Sequence, residues 1–210
     1  MKIHPVAGER ERDRGATHSR SSRLAFVAAA GAIAVNSPLG RLIRAGDALA
    51  ASPSKAQDVR ILQLVLQLEY TQVAFYEMGL RAASLQGQLR EFAQAALAHE
   101  RAHLAAIRSA LGAKAAPRPR LDLRRATKDP ATFRTTAIEL EDLAVAGYNG
   151  QATNLTPGTL AAAATIVSVE ARHASWVRAL AGEVAAPEPV DKPMTAEQVV
   201  EGLHKIGLKA

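Results

Sequence analysis

Two copies of the tetrapeptide Glu-x-x-His, Glu100-Arg101-Ala102-His103 and Glu170-Ala171-Arg172-His173, stand in matched surroundings in this chain. Each copy follows a Leu-Glu-x6-Tyr segment, Leu68-Glu69 to Tyr76 in the first half and Leu140-Glu141 to Tyr148 in the second. The separations from Glu69 to Glu100 and from Glu141 to Glu170 are 31 and 29 residues, so one helix pair is written twice. Residues three apart on a helix share a face, so Glu100 and His103 can grip one ion, and Glu170 and His173 another. Four such helices bring Glu69, Glu100, His103, Glu141, Glu170 and His173 to the centre of one bundle. Four ionised carboxylates there are neutralised by two divalent cations. Without metal they repel one another and resist ionisation. The pattern therefore demands an all-α fold with a metal-ligating interior.

Apolar spacing supplies the helices. From Asp58 to about Ser84, Leu62, Val65, Glu69, Val73, Tyr76 and Leu80 fall along one side, which places Glu69 on the apolar face. A buried carboxylate needs a partner; the i±3 and i±4 positions of its own helix hold Val65, Leu66, Gln72 and Val73, and the partner is expected from elsewhere. A break at Gln86-Gly87 opens a second helix, about Gln88 to Leu111, with Phe92, Ala96, Glu100, His103 and Ile107 aligned and Gly112 as terminator. Ala113 to Pro130 lacks helical periodicity and reads as a connection long enough to run the length of a bundle. A third helix, about Ala131 to Asn149, aligns Ile138, Glu141, Val145 and Tyr148. The fourth, about Thr159 to Ala181, aligns Ile166, Glu170, His173 and Val177. Connections that run short, long, short describe two antiparallel hairpins joined by a crossover. A Pro-rich stretch then leads to Thr195-Ala196-Glu197-Gln198, a capping-box signature opening a short helix that docks through Val199, Val200, Leu203 and Ile206.

The domain organisation is read as follows. Residues 1–50 form an export signal: an Arg-rich start leads to the apolar run Leu24 to Val35, and Ala48-Leu49-Ala50 is the small-residue cleavage pattern. Arg41 and Arg44 are unusual in a general secretory leader and favour the twin-arginine route. The arginines of Ser19-Arg20-Ser21-Ser22-Arg23-Leu24 are not adjacent as that route prefers. The apolar run is too short to span a bilayer, so no stable membrane span is expected after cleavage, and the destination is periplasmic or extracellular. Residues 51–57 are a linker, 58–183 the four-helix domain and 184–210 the tail. The net charge of +6 suggests nucleic acid, but the leader carries +4 of it, and no basic stripe follows. With no cysteine, only nitrogen and oxygen donors remain for a metal, which suits iron or manganese. Nothing in the chain sets an oligomeric state, and a homo-oligomer is compatible with it.

Two competing explanations use the same residues. With 13 Glu and 6 His, composition alone yields about 0.4 Glu-x-x-His matches, so a single copy would mean little. The matched upstream Glu and Tyr are what chance does not supply. His99-Glu100-Arg101-Ala102-His103 also fits H-E-x-x-H, in which two His bind zinc and the Glu activates water for proteolysis. That reading leaves Glu69, Glu141, both tyrosines and the second motif without a role. The di-metal reading leaves only His99, one residue off the ligand face, as a rim residue or hydrogen-bond partner.

From about residue 58 to 181 the chain resembles the ferritin-like domain of the desiccation-related protein family. The resemblance is carried by Leu68-Glu69-Tyr70, Phe75-Tyr76, His99-Glu100-Arg101-Ala102-His103, Leu140-Glu141-Asp142-Leu143-Ala144-Val145-Ala146-Gly147-Tyr148 and Val169-Glu170-Ala171-Arg172-His173-Ala174. It implies a ferritin-like four-helix bundle with a di-metal carboxylate centre, iron first and manganese second. Glu100 and Glu170 would bridge the ions, His103 and His173 would each cap one, and Glu69 and Glu141 would be terminal ligands. Tyr76 and Tyr148 would orient carboxylates from outside the ligand set. Glu77, Glu139 and Asp142 lie off the ligand face and are expected in solvent. The implied chemistry is oxidation of Fe(II) by oxygen or peroxide, with peroxide dismutation at manganese and a purely structural metal in a stress protein as alternatives.

Overall fold

The computed structural model describes residues 53–209, so the expected export leader and the start of the expected linker lie outside the described residues. The described residues form five α-helices: α1 (Lys55–Ala82), α2 (Gly87–Leu111), α3 (Pro130–Gln151), α4 (Pro157–Ala181) and α5 (Ala196–Ile206). No strand occurs among the described residues, and no helix of theirs is long and apolar enough to cross a membrane.

Helices α1, α3 and α5 start where a side chain satisfies an orphan amide. Ser54 Oγ accepts from Gln57 N at 3.2 Å, which starts α1 three residues before the expected Asp58. Asp129 Oδ1 accepts from Thr132 N at 2.7 Å, and Pro130 takes the first position of α3, where its missing N–H costs nothing. Gly182 ends α4 at φ 74, a left-handed conformation that glycine adopts without penalty, and Glu183 N reaches back to Arg178 O at 3.0 Å.

In the bundle α1 packs on α2 and α3, and α4 closes the ring against both. Tyr76 reaches Glu141 while Tyr148 reaches Glu69, so α1 and α3 run antiparallel. The crossover from α2 therefore returns along the bundle before α3 begins. It is held on the way: Ala116 N donates to Gln63 Oε1 at 3.2 Å, and Leu123 and Thr127 are buried. Leu121 makes an isolated antiparallel bridge with Leu208, flanked by Asp122 N to Gly207 O at 2.9 Å and Lys209 N to Arg120 O at 3.0 Å. The stretch after α5 thus pairs with the crossover.

Aromatic side chains fill the space between α1 and α3. Phe75 and Phe133 stack with centroids 4.7 Å apart, and Tyr76 sits edge-on to Phe133 and Phe92. A Cβ on Gly79 would collide with the Phe133 ring, so the glycine sets how closely the two helices approach. The α5 helix covers the outside of this wall, with Val199 and Leu203 fully buried. Its capping box is formed, Gln198 N donating to Thr195 Oγ1 and Thr195 N to Gln198 Oε1. Met194 N bonds Ala146 O at 2.9 Å, and a Cβ on Gly150 would strike the Met194 carbonyl.

Candidate metal centre

All six residues selected by spacing meet in the bundle interior, one from each of α1 and α3 and two from each of α2 and α4. Glu69, Glu100, Glu141 and Glu170 are 0% exposed, His173 2% and His103 9%. Their ligand atoms form two groups, Glu69, Glu100, Glu170 and His103 in one, and Glu100, Glu141, Glu170 and His173 in the other. Within each group the atoms lie within 4.8 Å of one another, and Glu100 and Glu170 belong to both. His103 Nδ1 is 2.9 Å from Glu170 Oε1 and 3.1 Å from Glu100 Oε2. His173 Nδ1 is 3.0 Å from Glu100 Oε1 and 3.5 Å from Glu141 Oε2.

The residues fit metal ions better than they fit each other. Glu69 Oε2, Glu100 Oε1, Glu170 Oε1 and His173 Nδ1 are buried without a hydrogen-bonding partner. His173 Nδ1 and Glu100 Oε1 are close, yet neither is oriented for a hydrogen bond to the other. Buried polar atoms left this way cost about 1–3 kcal/mol each, and a shared cation satisfies several at once. Nitrogen and oxygen donors in this ratio suit iron or manganese.

Titration behaviour reports the same crowding. Burial, reinforced by the charges of Glu170 and Glu100, pushes the Glu69 carboxyl well above the ordinary carboxylate value. Burial does the same to Glu141, against the opposing pull of His173. For Glu100 burial also raises, but the neighbouring His103 and His173 outweigh it and the carboxyl is held low. Desolvation pulls both imidazoles down, and their carboxylate neighbours more than reverse it, to about 9 for His103 and about 10 for His173. Protons on these groups balance the charge that two divalent ions would otherwise balance.

Around the ligand groups stand donors from α1 and α3. Tyr148 OH donates to Glu69 Oε1 at 2.6 Å, and Tyr76 OH donates to Glu141 Oε1. Each tyrosine therefore serves the carboxylate of the other hairpin, not the one seven residues before it. Gln72, which periodicity did not single out, donates from Nε2 to Glu170 Oε2 at 2.9 Å and to Glu141 Oε2 at 3.3 Å. In the sequence it stands one turn on from Glu69, and its partners come near only in the assembled bundle.

His99 is outside both ligand groups. It lies exposed on α2, its ring parallel to that of His173 and its Nδ1 2.9 Å from His173 Nε2. The zinc arrangement, which needs His99 and His103 on one ion, is not formed. Glu77 pairs with Arg101 at 2.9 Å, Asp142 pairs with Arg178, and Glu139 is exposed, so none of these carboxylates joins the centre.

A cavity of about 380 Å³ opens against the histidine side, lined by His99, Ala102, His103, Val169, Arg172, His173 and Trp176. A second, of about 510 Å³, lies between α1, α2 and α4 and reaches Tyr148. Both are mainly apolar, and the first touches both candidate imidazole ligands.

Residues 57–183 match the family described as ferritin-like domain. A search of curated proteins finds no match to the chain.

Proposed function

The chain belongs to the ferritin-like domain family, and we propose that its six interior side chains hold a pair of iron ions, with manganese the second choice, for reaction with oxygen or peroxide. The observation that carries this reading is the pair of ligand groups sharing Glu100 and Glu170, with buried oxygens and a nitrogen unsatisfied among the described residues. Such an ion pair, when bound, supplies redox chemistry toward small oxidants. The protein's part is to bind and orient. Glu69 and Glu141 give up protons when metal enters, His103 and His173 do likewise, and Tyr76 and Tyr148 hold the outer carboxylates in place. The apolar cavity beside the histidines admits a small neutral molecule while keeping bulk water from the carboxylates.

Membership of the desiccation-related family, export to the periplasm or beyond, and a role in stress protection complete the proposal. They rest on the sequence resemblance and on the leader. Metal analysis of the purified protein tests the centre. Two iron or manganese ions per chain are expected, both lost in Glu100→Ala and both retained at saturating metal in His99→Ala. One zinc per chain that depends on His99 would overturn the reading. Oxygen or peroxide consumption by the loaded protein separates an oxidase from a metal-stabilised bundle.

A further inference from the structure

The two halves of the centre repeat in sequence but not in surroundings. The position that would be served by His173 and Glu141 has two supports that the other lacks. His99 Nδ1 lies 2.9 Å from His173 Nε2, and Gln72 Nε2 lies within 3.3 Å of Glu141 Oε2. In the second repeat the residue before Glu170 is Val169, and the residue three beyond Glu141 is Ala144. Neither can make the corresponding bond. His103 Nε2 has no protein partner among the described residues, and Glu69 keeps Tyr148 as its hydroxyl donor without an amide beside it.

We infer that the two metal positions are unequal, and that His99 and Gln72 are the positioning residues that make the His173–Glu141 position the tighter one. The inference rests on the di-metal reading above. His173 turns Nδ1 toward the carboxylates, so a metal must take the lone pair of Nδ1 and leave the proton on Nε2. His99 Nδ1 then accepts that proton in a hydrogen bond, fixing both tautomer and ring plane and making His173 a better donor. Gln72 and Tyr76, one turn apart on α1, give Glu141 a donor at each carboxylate oxygen, so its carboxylate is held before an ion arrives. His103 has to find its orientation without an outer partner. Partners of this kind change metal affinity about 10- to 100-fold.

The test is calorimetric titration of metal-free full chain with Mn(II), in single-position backgrounds. Glu69→Ala leaves the His173–Glu141 position, and Glu141→Ala leaves the His103–Glu69 position. In the first background His99→Ala is expected to weaken binding about 10-fold or more, His99→Gln to recover part of it by accepting the same bond, and Gln72→Ala to weaken it less. In the second background His99→Ala is expected to change nothing, and Val169→His to tighten binding. Thermal melts of the metal-free variants check folding. Equal affinities in the two backgrounds, or a His99→Ala effect of the same size in both, would overturn the inference while leaving the di-metal centre standing. Failure of the unmodified chain to bind any Mn(II) or Fe(II) would remove the function reading itself, and the inference with it.

Discussion

The wall made by α1 and α3 and the wall made by α2 and α4 enclose the same six side chains, yet they are built in opposite ways. Fifteen of the 28 residues of α1 are buried, whereas only Glu170, His173, Ala174 and Val177 are buried in the 25-residue α4. The first wall has stacked aromatics inside and α5 outside. The second presents Leu160 at 38% and Trp176 at 40% exposure, and both cavities adjoin it. The chemistry divides the same way. Glu69 and Glu141 and their donors Tyr76, Tyr148 and Gln72 come from the sealed wall, while both histidines and the shared Glu100 and Glu170 come from the open one. Packed side chains hold donors to a fixed geometry, and thinly covered helices open at low cost, so one wall pre-organises and the other gives access.

The largest expected effect that bears on this contrast is pH acting on the metal-free protein. Raised values for His103 and His173, about 9 and about 10 against an ordinary 6.5, mean that their contribution to stability is complete below 6.5 and disappears as pH climbs through them. Glu69 and Glu141 are raised as well, so they too favour the fold when protonated and lose that contribution as pH rises. Metal needs all four deprotonated, so the stability it adds should grow over the same range. Urea midpoints with chelator and with Mn(II), compared from about pH 6 to about pH 9, should diverge. Parallel curves would show that the proton-holding wall and the metal-holding groups are not the same residues.

A smaller effect compares the walls by packing alone. Phe133→Ala removes a fully buried ring stacked on Phe75 and should cost about 3–5 kcal/mol. Trp176→Ala, on the open wall, should cost about 1 kcal/mol or less despite the larger side chain. Equal costs in denaturant melts would erase the distinction between the walls. Smallest is Thr195→Ala, which deletes the oxygen receiving Gln198 N and should cost about 1 kcal/mol. Amide exchange in α5 should quicken while α4, on the far side, keeps its rates. Faster exchange in α4 as well would mean that α5 steadies the whole ring and not one wall.

The helices and the six central residues could be read from spacing because both depend on the 3.6-residue period, which is a property of the chain alone. Boundaries shifted where caps decided them: Ser54 and the Asp129-Pro130 pair were cap signals strong enough to be seen, and they move α1 and α3 outward. The partners of Gln72 and His99 and the exchange of tyrosines between hairpins could not be read, since each partner lies on another helix. Gln72 meets Glu141 across 69 residues and His99 meets His173 across 74. Periodicity says which face a residue occupies and nothing about what faces it. The same limit applies to the crossover, where aperiodic sequence concealed an ordered path along α1 and the bridge from Leu121 to Leu208.

That exchange of tyrosines has a consequence for how the chain folds. Each hairpin closes through a short connection, but the bonds that complete the centre span 65 residues for Tyr76 to Glu141 and 79 for Tyr148 to Glu69. Closing long loops is entropically dearer and slower than closing short ones, so hairpins form ahead of their docking. Until docking, the carboxylates of each hairpin remain hydrated and burial has not yet raised Glu69 or Glu141. The interval between hairpin formation and docking is therefore when the three ligands of each hairpin stand open to solvent, with the carboxylate charge intact.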